Sequence, residues 1–163
     1  MAKDSSFLIR PAVPADQTGV LHCLAVAFDP YRDDYTTPAF ARTVLDPAGY
    51  IERLQAMHLL VAQSESRITG TIAGACHGRE GRLRGMAVLP EWRGTGLSAQ
   101  LLATMEAWLK EQGCHRITLG TTPPLQAAIR FYERAGYSHT GKITDFHGMP
   151  LLDYAKELSI TRL

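Results

Sequence analysis

The sequence predicts an α/β chain with a mostly antiparallel sheet in its first half and crossover helices in its second. Three observations predict this. Between residues 58 and 90, apolar runs alternate with short polar links, as in strands joined by tight turns. Residues 97–109 instead repeat their apolar side chains at helical spacing, and "PLQAAIRFYERAG" has the proline start and glycine end of a helix. A short apolar run, "HRITLGTT", separates those two helices.

"SFLIRPA" reads as the first strand. In "PADQTGVLHCLAVAF", Pro14 comes early, Asp16 is a candidate cap, and Val20, Leu21, Leu24 and Phe28 share a helical face. "DPYRDDYTTPAF" (Asp29 to Phe40) is the most polar stretch and reads as a loop or broken helix. "FARTVLDPAGYIERLQAM" reads as helical in part, with Pro47 interrupting it. "HLLVAQS" and "ITGTIAGACHG" flank the link "ESR" as a hairpin, and "GRLRGMAVLP" is the next strand, closed by Pro90.

Leu97, Leu101, Leu102, Met105, Trp108 and Leu109 define a helix that Gly113 stops. "HRITLGTT" is a strand. "PLQAAIRFYERAG" is a helix opened by proline and ended by Gly136. "YSHTGKITDFHG" and "MPLLDYAKEL" form a terminal strand pair. The expected order is β-α-α-β-β-β-α-β-α-β-β.

Length and composition narrow the function classes. The 163 residues fit one domain spanning 1–163, with no repeat, low-complexity tract or linker. Net charge is +1, from 17 basic and 16 acidic residues, so nothing electrostatic favours nucleic acid or an anionic membrane. No apolar span is long enough to cross a bilayer. The start, "MAKDSSFLIR", carries charges where a signal peptide needs an apolar run. Cys23, Cys76 and Cys114 form no motif and suit free thiols in a reducing cytoplasm. Neither the histidines nor the cysteines adopt metal-ligand spacing, so no metal is expected.

The chemistry is concentrated in "AVLPEWRGTGLSAQLL", a strand, a glycine turn and a helix. Unpaired N–H groups and the helix dipole favour an anion at such a helix start. Gly94 and Gly96 lack the Cβ atoms that would hinder approach of phosphate oxygens to the backbone, and Arg93 adds a positive charge. An ordinary strand–helix turn fits the hexapeptide equally well. A P-loop does not, because its lysine is missing. Gly94–Ala99 satisfies the dinucleotide pattern G-x-G-x-x-A, but the next strand ends "TLGTT" with no ribose-binding carboxylate.

"GMAVLPEWRGTGLSAQLL" resembles the acyl-CoA signature of the GNAT superfamily of N-acetyltransferases, Arg/Gln-x-x-Gly-x-Gly/Ala, at Arg93 and Gly96. Ser98 takes the last small position, a mild departure. "LQAAIRFYERAGY" resembles the second signature at Ala128, Tyr132, Gly136 and Tyr137, and departs from it at Leu125, where the family often has asparagine. The resemblance implies a mixed, mostly antiparallel twisted sheet, splayed at its centre, with helices on both faces.

It further implies acetyl-CoA as cosubstrate and a primary amine, on a small molecule or a peptide, as acceptor. Acetyl transfer would be direct, in a ternary complex. Residues Arg93, Gly94, Thr95, Gly96, Leu97 and Ser98 would hold the diphosphate. The backbone of Met86, Ala87 and Val88 would pair with the pantetheine arm as an added strand does. An N–H there could stabilise the oxyanion. Tyr132 would donate to the departing thiolate. Homodimers are frequent in the family, and the sequence leaves one open.

No base is assigned. The position where many members carry a glutamate is Arg82; Glu80 and His77 lie nearby. Arg79, Arg82, Arg84 and Arg93 form the densest basic run, suited to a solvated face, CoA phosphates or an anionic substrate. Arg130 and Arg134 suit a solvent face or a phosphate clamp. Tyr31, Asp33, Asp34 and Tyr35 could line a site for a cationic amine, with Asp145 and His147 approaching it, or form a solvated loop. Two other classes stay open: a non-catalytic acyl-CoA-binding sensor or scaffold, and a nucleotide-dependent oxidoreductase resting on the Gly94–Ala99 match alone.

Overall fold

The computed structural model describes residues 6–159; the charged residues 1–5 read above lie outside it. One sheet holds seven strands in the order β1-β2-β3-β4-β5-β7-β6. These are β1 (Leu8–Pro11), β2 (His58–Ser64), β3 (Arg67–His77), β4 (Glu80–Val88), β5 (Arg116–Thr121), β6 (Ser138–Phe146) and β7 (Met149–Glu157). Every pairing is antiparallel except that of β4 with β5. A parallel pair needs a crossover, and α4 (Leu97–Glu111) supplies it. The remaining helices are α1 (Gln17–Phe28), α2 (Thr37–Val44), α3 (Pro47–Ala56) and α5 (Gln126–Arg134).

Helices cover both faces. A Cβ added at Gly70, Gly74 or Gly81 would strike Leu101, Met105 or Leu109, so α4 lies directly on that face of β3 and β4. A bulge in β3 between Ile68 and Gly70 breaks the alternation of faces. Ile68 therefore meets Gly19 of α1 on the other side. Val20, Leu24, Tyr50, Ile72, Leu89, Leu101, Met105 and Ile117 are among the fully buried side chains that join the layers.

Two local expectations are corrected. The expected order places one helix between α1 and β2, whereas residues 37–56 form two, parted just before Pro47. Proline fits the first turn of a helix, where its missing N–H is not needed, so Pro47 starts α3. Asp46 caps that start by accepting the Gly49 N–H at 2.7 Å, and Thr36 caps α2 by accepting from Ala39. Three helices thus precede β2.

Asp16 precedes α1 but does not cap it through its side chain. Its carboxylate instead accepts two bonds from Arg10, at 2.8 and 2.9 Å, and the Val13 N–H at 2.8 Å. Of the loop and the broken helix that the polar stretch allows, "DPYRDD" takes the second form, a short 3₁₀ segment.

Candidate functional site

The pairing of β4 with β5 runs from Glu80–Arg116 to Leu83–Leu119 and then stops, although both strands continue. The two strands part there. Arg82 braces the last paired rungs: its guanidinium donates to Thr118 Oγ1 at 3.2 Å and to Asp153 at 3.0 Å, crossing from β4 over β5 to β7. Arg82 is therefore a cross-strand tie, occupied by its own carboxylate.

Immediately beyond, β4 bulges. Thr71 faces Ala87 and Ala73 faces Arg84, so Gly85 and Met86 together oppose one residue of β3. Gly85 has φ 61°, a left-handed conformation that glycine adopts without Cβ strain. Past the bulge, the Leu89 N–H is given to Thr69 of β3. N–H directions alternate along a strand, so Ala87 also turns its amide to β3. Met86 and Val88 turn theirs toward the open edge between β4 and β5.

A cavity of about 230 Å³ runs along that edge from Arg93 and Ser98 to Tyr132, with Met86, Ala87 and Val88 on one wall and Ala128 and Phe131 of α5 on the other. A second, of about 190 Å³, lies in the splay and is lined by Tyr35, Met86, Thr121, Thr122 and Tyr132 among others. Phe28, Met86, Leu125 and Tyr132 line both, so the two adjoin at this quartet.

At the far end of the first cavity, residues 93–98 lead from a 3₁₀ turn (Pro90–Trp92) into α4. Gly94 and Gly96 have φ 76° and 87°, and a Cβ on either would meet no protein atom. Their first requirement is thus backbone conformation rather than room. The first α4 bond is Gln100 N–H to Gly96 C=O, and among the described residues the amides of 94–99 reach no acceptor. The Arg93 amide is already given to Pro90, so Arg93 offers only its guanidinium. Thr95 turns its hydroxyl to the Trp92 carbonyl at 2.6 Å. Leu97 buries its side chain in the core and presents only its amide.

Tyr132 places its hydroxyl 3.5 Å from the Met86 Sδ. Desolvation raises its pKa above the usual phenol value, so it stays protonated. Tyr137 packs edge-on against it, with ring centroids 5.8 Å apart, and donates to Glu106 at 2.6 Å. The second motif thus supplies one hydroxyl at the cavity and one that anchors α5 to α4. Leu125, in the family's asparagine position, lines both cavities with an apolar side chain.

The polar segment contributes differently than its acids suggest. Tyr31 lines the first cavity and Tyr35 the second, while Asp33 and Asp34 are exposed and line neither. Asp145 and His147 shape the β6–β7 turn: the Asp145 carboxylate accepts the Gly148 N–H, and the His147 carbonyl accepts from Thr36. Their side chains line neither of the two cavities, although Phe146 between them lines the second. Arg130 and Arg134 are exposed on α5. His77 and Glu80 lie in a wider outer basin, with Arg82 and Arg84.

Three features of the site join elements far apart in sequence or carry little local signal. Tyr35 bonds Thr122 at 2.7 Å across the splay. Thr121 Oγ1 is buried at the same place with no partner. Arg53 of α3 lies against Gly85, where an added Cβ would strike its guanidinium. Only the dipeptide Thr121-Thr122 at a strand end carried a local signal; the other contacts join distant elements. Among the described residues no three histidine, cysteine or acidic side chains cluster as metal ligands, and no helix is long and apolar enough to cross a membrane.

Solved structures show the same architecture. An N-acetyltransferase PaiA from Thermoplasma acidophilum, in complex with coenzyme A, superposes with TM-score 0.79 at 16% identity, covering 94% of this chain and 99% of that one. The ribosomal-protein-S18-alanine N-acetyltransferase of Escherichia coli gives 0.75 at 16% identity, covering 96% and 97%. A GNAT-family acetyltransferase from Staphylococcus aureus gives 0.77 at 17% identity, covering 94% and 100%. At these identities the likeness establishes the fold. The model of the acetyltransferase (GNAT) family matches residues 18–137, which include the glycine turn, the splay and Tyr132, and the chain belongs to that family.

Proposed function

We propose that the protein transfers an acetyl group from acetyl-CoA to a primary amine by direct attack. The observation that carries this reading is the continuity from the unpaired amides at 94–99, along the open edge of β4, to Tyr132. The residues fit the cosubstrate in kind: free N–H groups and a guanidinium for a diphosphate, then a strand edge for an amide-bearing arm. Acetyl-CoA supplies an activated acyl carbon and a thiolate leaving group.

In this reading the amides of Thr95 to Ala99 and the Arg93 guanidinium grip the diphosphate. Met86 and Val88 hold the arm through the edge of β4. The Met86 N–H also faces the splay, where it can donate to the carbonyl oxygen as negative charge develops. Tyr132 donates to the sulfur. Because its pKa is raised, it stabilises the thiolate by hydrogen bonding rather than by complete proton transfer; an ordinary thiol is the stronger acid.

The acceptor enters from the opposite side of the splay. No carboxylate or imidazole lines the inner cavity among the described residues. The unpaired Arg42, Arg53 and Arg84 line it instead, and their field disfavours the ammonium form of the amine. The incoming nitrogen then loses its proton to water. The missing base, together with Leu125, also suits a second reading, a non-catalytic acyl-CoA-binding sensor or scaffold.

The test is to incubate the protein with acetyl-CoA and a panel of amines. Thiol release matched by acetamide product, detected by mass spectrometry, supports the enzyme. Tight CoA binding without product from any amine favours the sensor.

A further inference from the structure

The outer basin, about 1040 Å³, is lined by six cationic side chains: Arg42, Arg53, Arg82, Arg84, Arg116 and Lys142. Three carboxylates share it: Glu52, Glu80 and Asp153. Two of these are engaged, Asp153 with Arg82 at 3.0 Å and Glu80 with Arg116 at 3.9 Å. Arg42, Arg53 and Arg84 make no side-chain hydrogen bond or ion pair with any described residue. These three also line the inner cavity, so they stand where basin and splay meet.

Three like charges crowd one rim, with Arg53 half-buried and Arg42 and Arg84 exposed. Arg53 lies against Gly85. Its pKa is pushed down to about 10 by desolvation and by the nearby charges of Arg84 and Arg42. Arg84 is lowered too, by desolvation and then by Arg82 and Arg42. Like charges crowded together are stabilised when an anion joins them. Guanidinium groups suit carboxylate and phosphate oxygens through paired N–H donors. None of the three lines the cavity that contains Arg93 and Ser98, so this cluster is separate from the proposed diphosphate site.

We infer that the acceptor is an anionic amine, whose carboxylate or phosphate is held by Arg53, Arg84 and Arg42 while its nitrogen faces Met86. The inference rests on the acyl-transfer reading for the identity of that nitrogen. Arg53 touches Gly85, the residue before Met86, so the anion and the amine are separated by only a few bonds. A polyamine would meet unpaired positive charge. In the reaction the new C–N bond forms as the C–S bond breaks. The ammonium form supplies two protons overall, one to the thiolate and one to solvent.

The deciding experiment is a titration at fixed ionic strength of the CoA-saturated protein with inorganic phosphate and, separately, succinate, followed by calorimetry. At least one should bind the wild type, and Arg84→Gln and Arg53→Gln should each weaken it tenfold or more. Arg84 is exposed, so its variant tests the site without removing a buried side chain. Arg53→Lys should retain more affinity than Arg53→Gln, and CoA affinity should stay within twofold throughout. If neither anion binds the wild type, or if both bind it and the two glutamine variants alike, the inference fails. A preference for succinate identifies carboxylate as the anion; a preference for phosphate identifies phosphate. In matched pairs, glycine with glycinamide and 2-aminoethyl phosphate with 2-aminoethanol, turnover of a neutral member at a higher kcat/KM than its anionic partner also overturns it. Loss of CoA binding by the wild type would remove the acyl-transfer reading, while the same anion titration on the CoA-free protein would still judge the arginine site.

Discussion

The Tyr132 hydroxyl lies 3.5 Å from the Met86 Sδ, which brings α5 against the bulge of β4. One residue is near the start of the unpaired edge and the other near the end of the second sequence motif. Their meeting point is where the two cavities adjoin.

Tyr132→Phe should lower kcat by about 10²-fold or more while changing CoA affinity less than about twofold. Steady-state kinetics beside calorimetry measures both. Because the phenol pKa is raised, no loss of activity from Tyr132 ionisation is expected as pH rises to about 10. Equal turnover in the variant would remove the hydroxyl from the mechanism.

Arg93→Ala should weaken CoA binding by about tenfold, in keeping with loss of a charge-assisted contact. The difference should narrow with added salt, since Arg93 is exposed and screened. Gly96→Val combines a β-branched side chain with φ 87° and should reduce both CoA affinity and stability, the latter by about 1–2 kcal/mol or more. Isothermal titration and thermal melting separate the two effects.

Gly85→Ala should be more damaging than a typical surface substitution. The left-handed backbone resists a Cβ, and the added carbon would strike the Arg53 guanidinium. A loss of about 1–3 kcal/mol in denaturant unfolding is expected, together with lower kcat from a displaced Met86. An unchanged midpoint would mean that the bulge readily gives up its shape.

The Arg10–Asp16 pair predicts a pH dependence of stability. The hydrogen bonds from Arg10, followed by that from Val13, outweigh desolvation and hold the Asp16 carboxyl below its ordinary pKa. Its stabilisation is present above the unfolded carboxylate pKa of about 3.9 and is lost as pH falls through the lower folded value. Asp16→Asn should destabilise by about 1–3 kcal/mol at pH 7. The difference between wild type and variant should shrink progressively below about pH 4. A pH-independent difference would contradict the assignment.

Much of the fold was legible because apolar period and punctuation agreed. "HLLVAQS" spans β2 in full, and Gly113 and Gly136 end helices at φ 95° and 102°. Pro47 marks the interruption but not its form: its ring forbids a helix interior and suits a helix start, and the Asp46 cap favours the start. The glycine turn and Tyr132 could be located from local spacing. The arginine cluster could not. Arg53 sits on a helix more than thirty residues before Gly85, and their contact depends on a bulge that β4's own alternation does not announce. Asp33 and Asp34 suit a cationic amine by composition, yet they are exposed and line neither cavity.

A crystal structure of the protein with acetyl-CoA tests the central claim most directly. The diphosphate should lie within hydrogen-bonding distance of the amides of Thr95 to Ala99, with the arm along Met86 and Val88 and the sulfur near Tyr132. Coenzyme bound at another surface, or a cleft between β4 and α5 that stays closed to it at saturating concentration, would contradict the account.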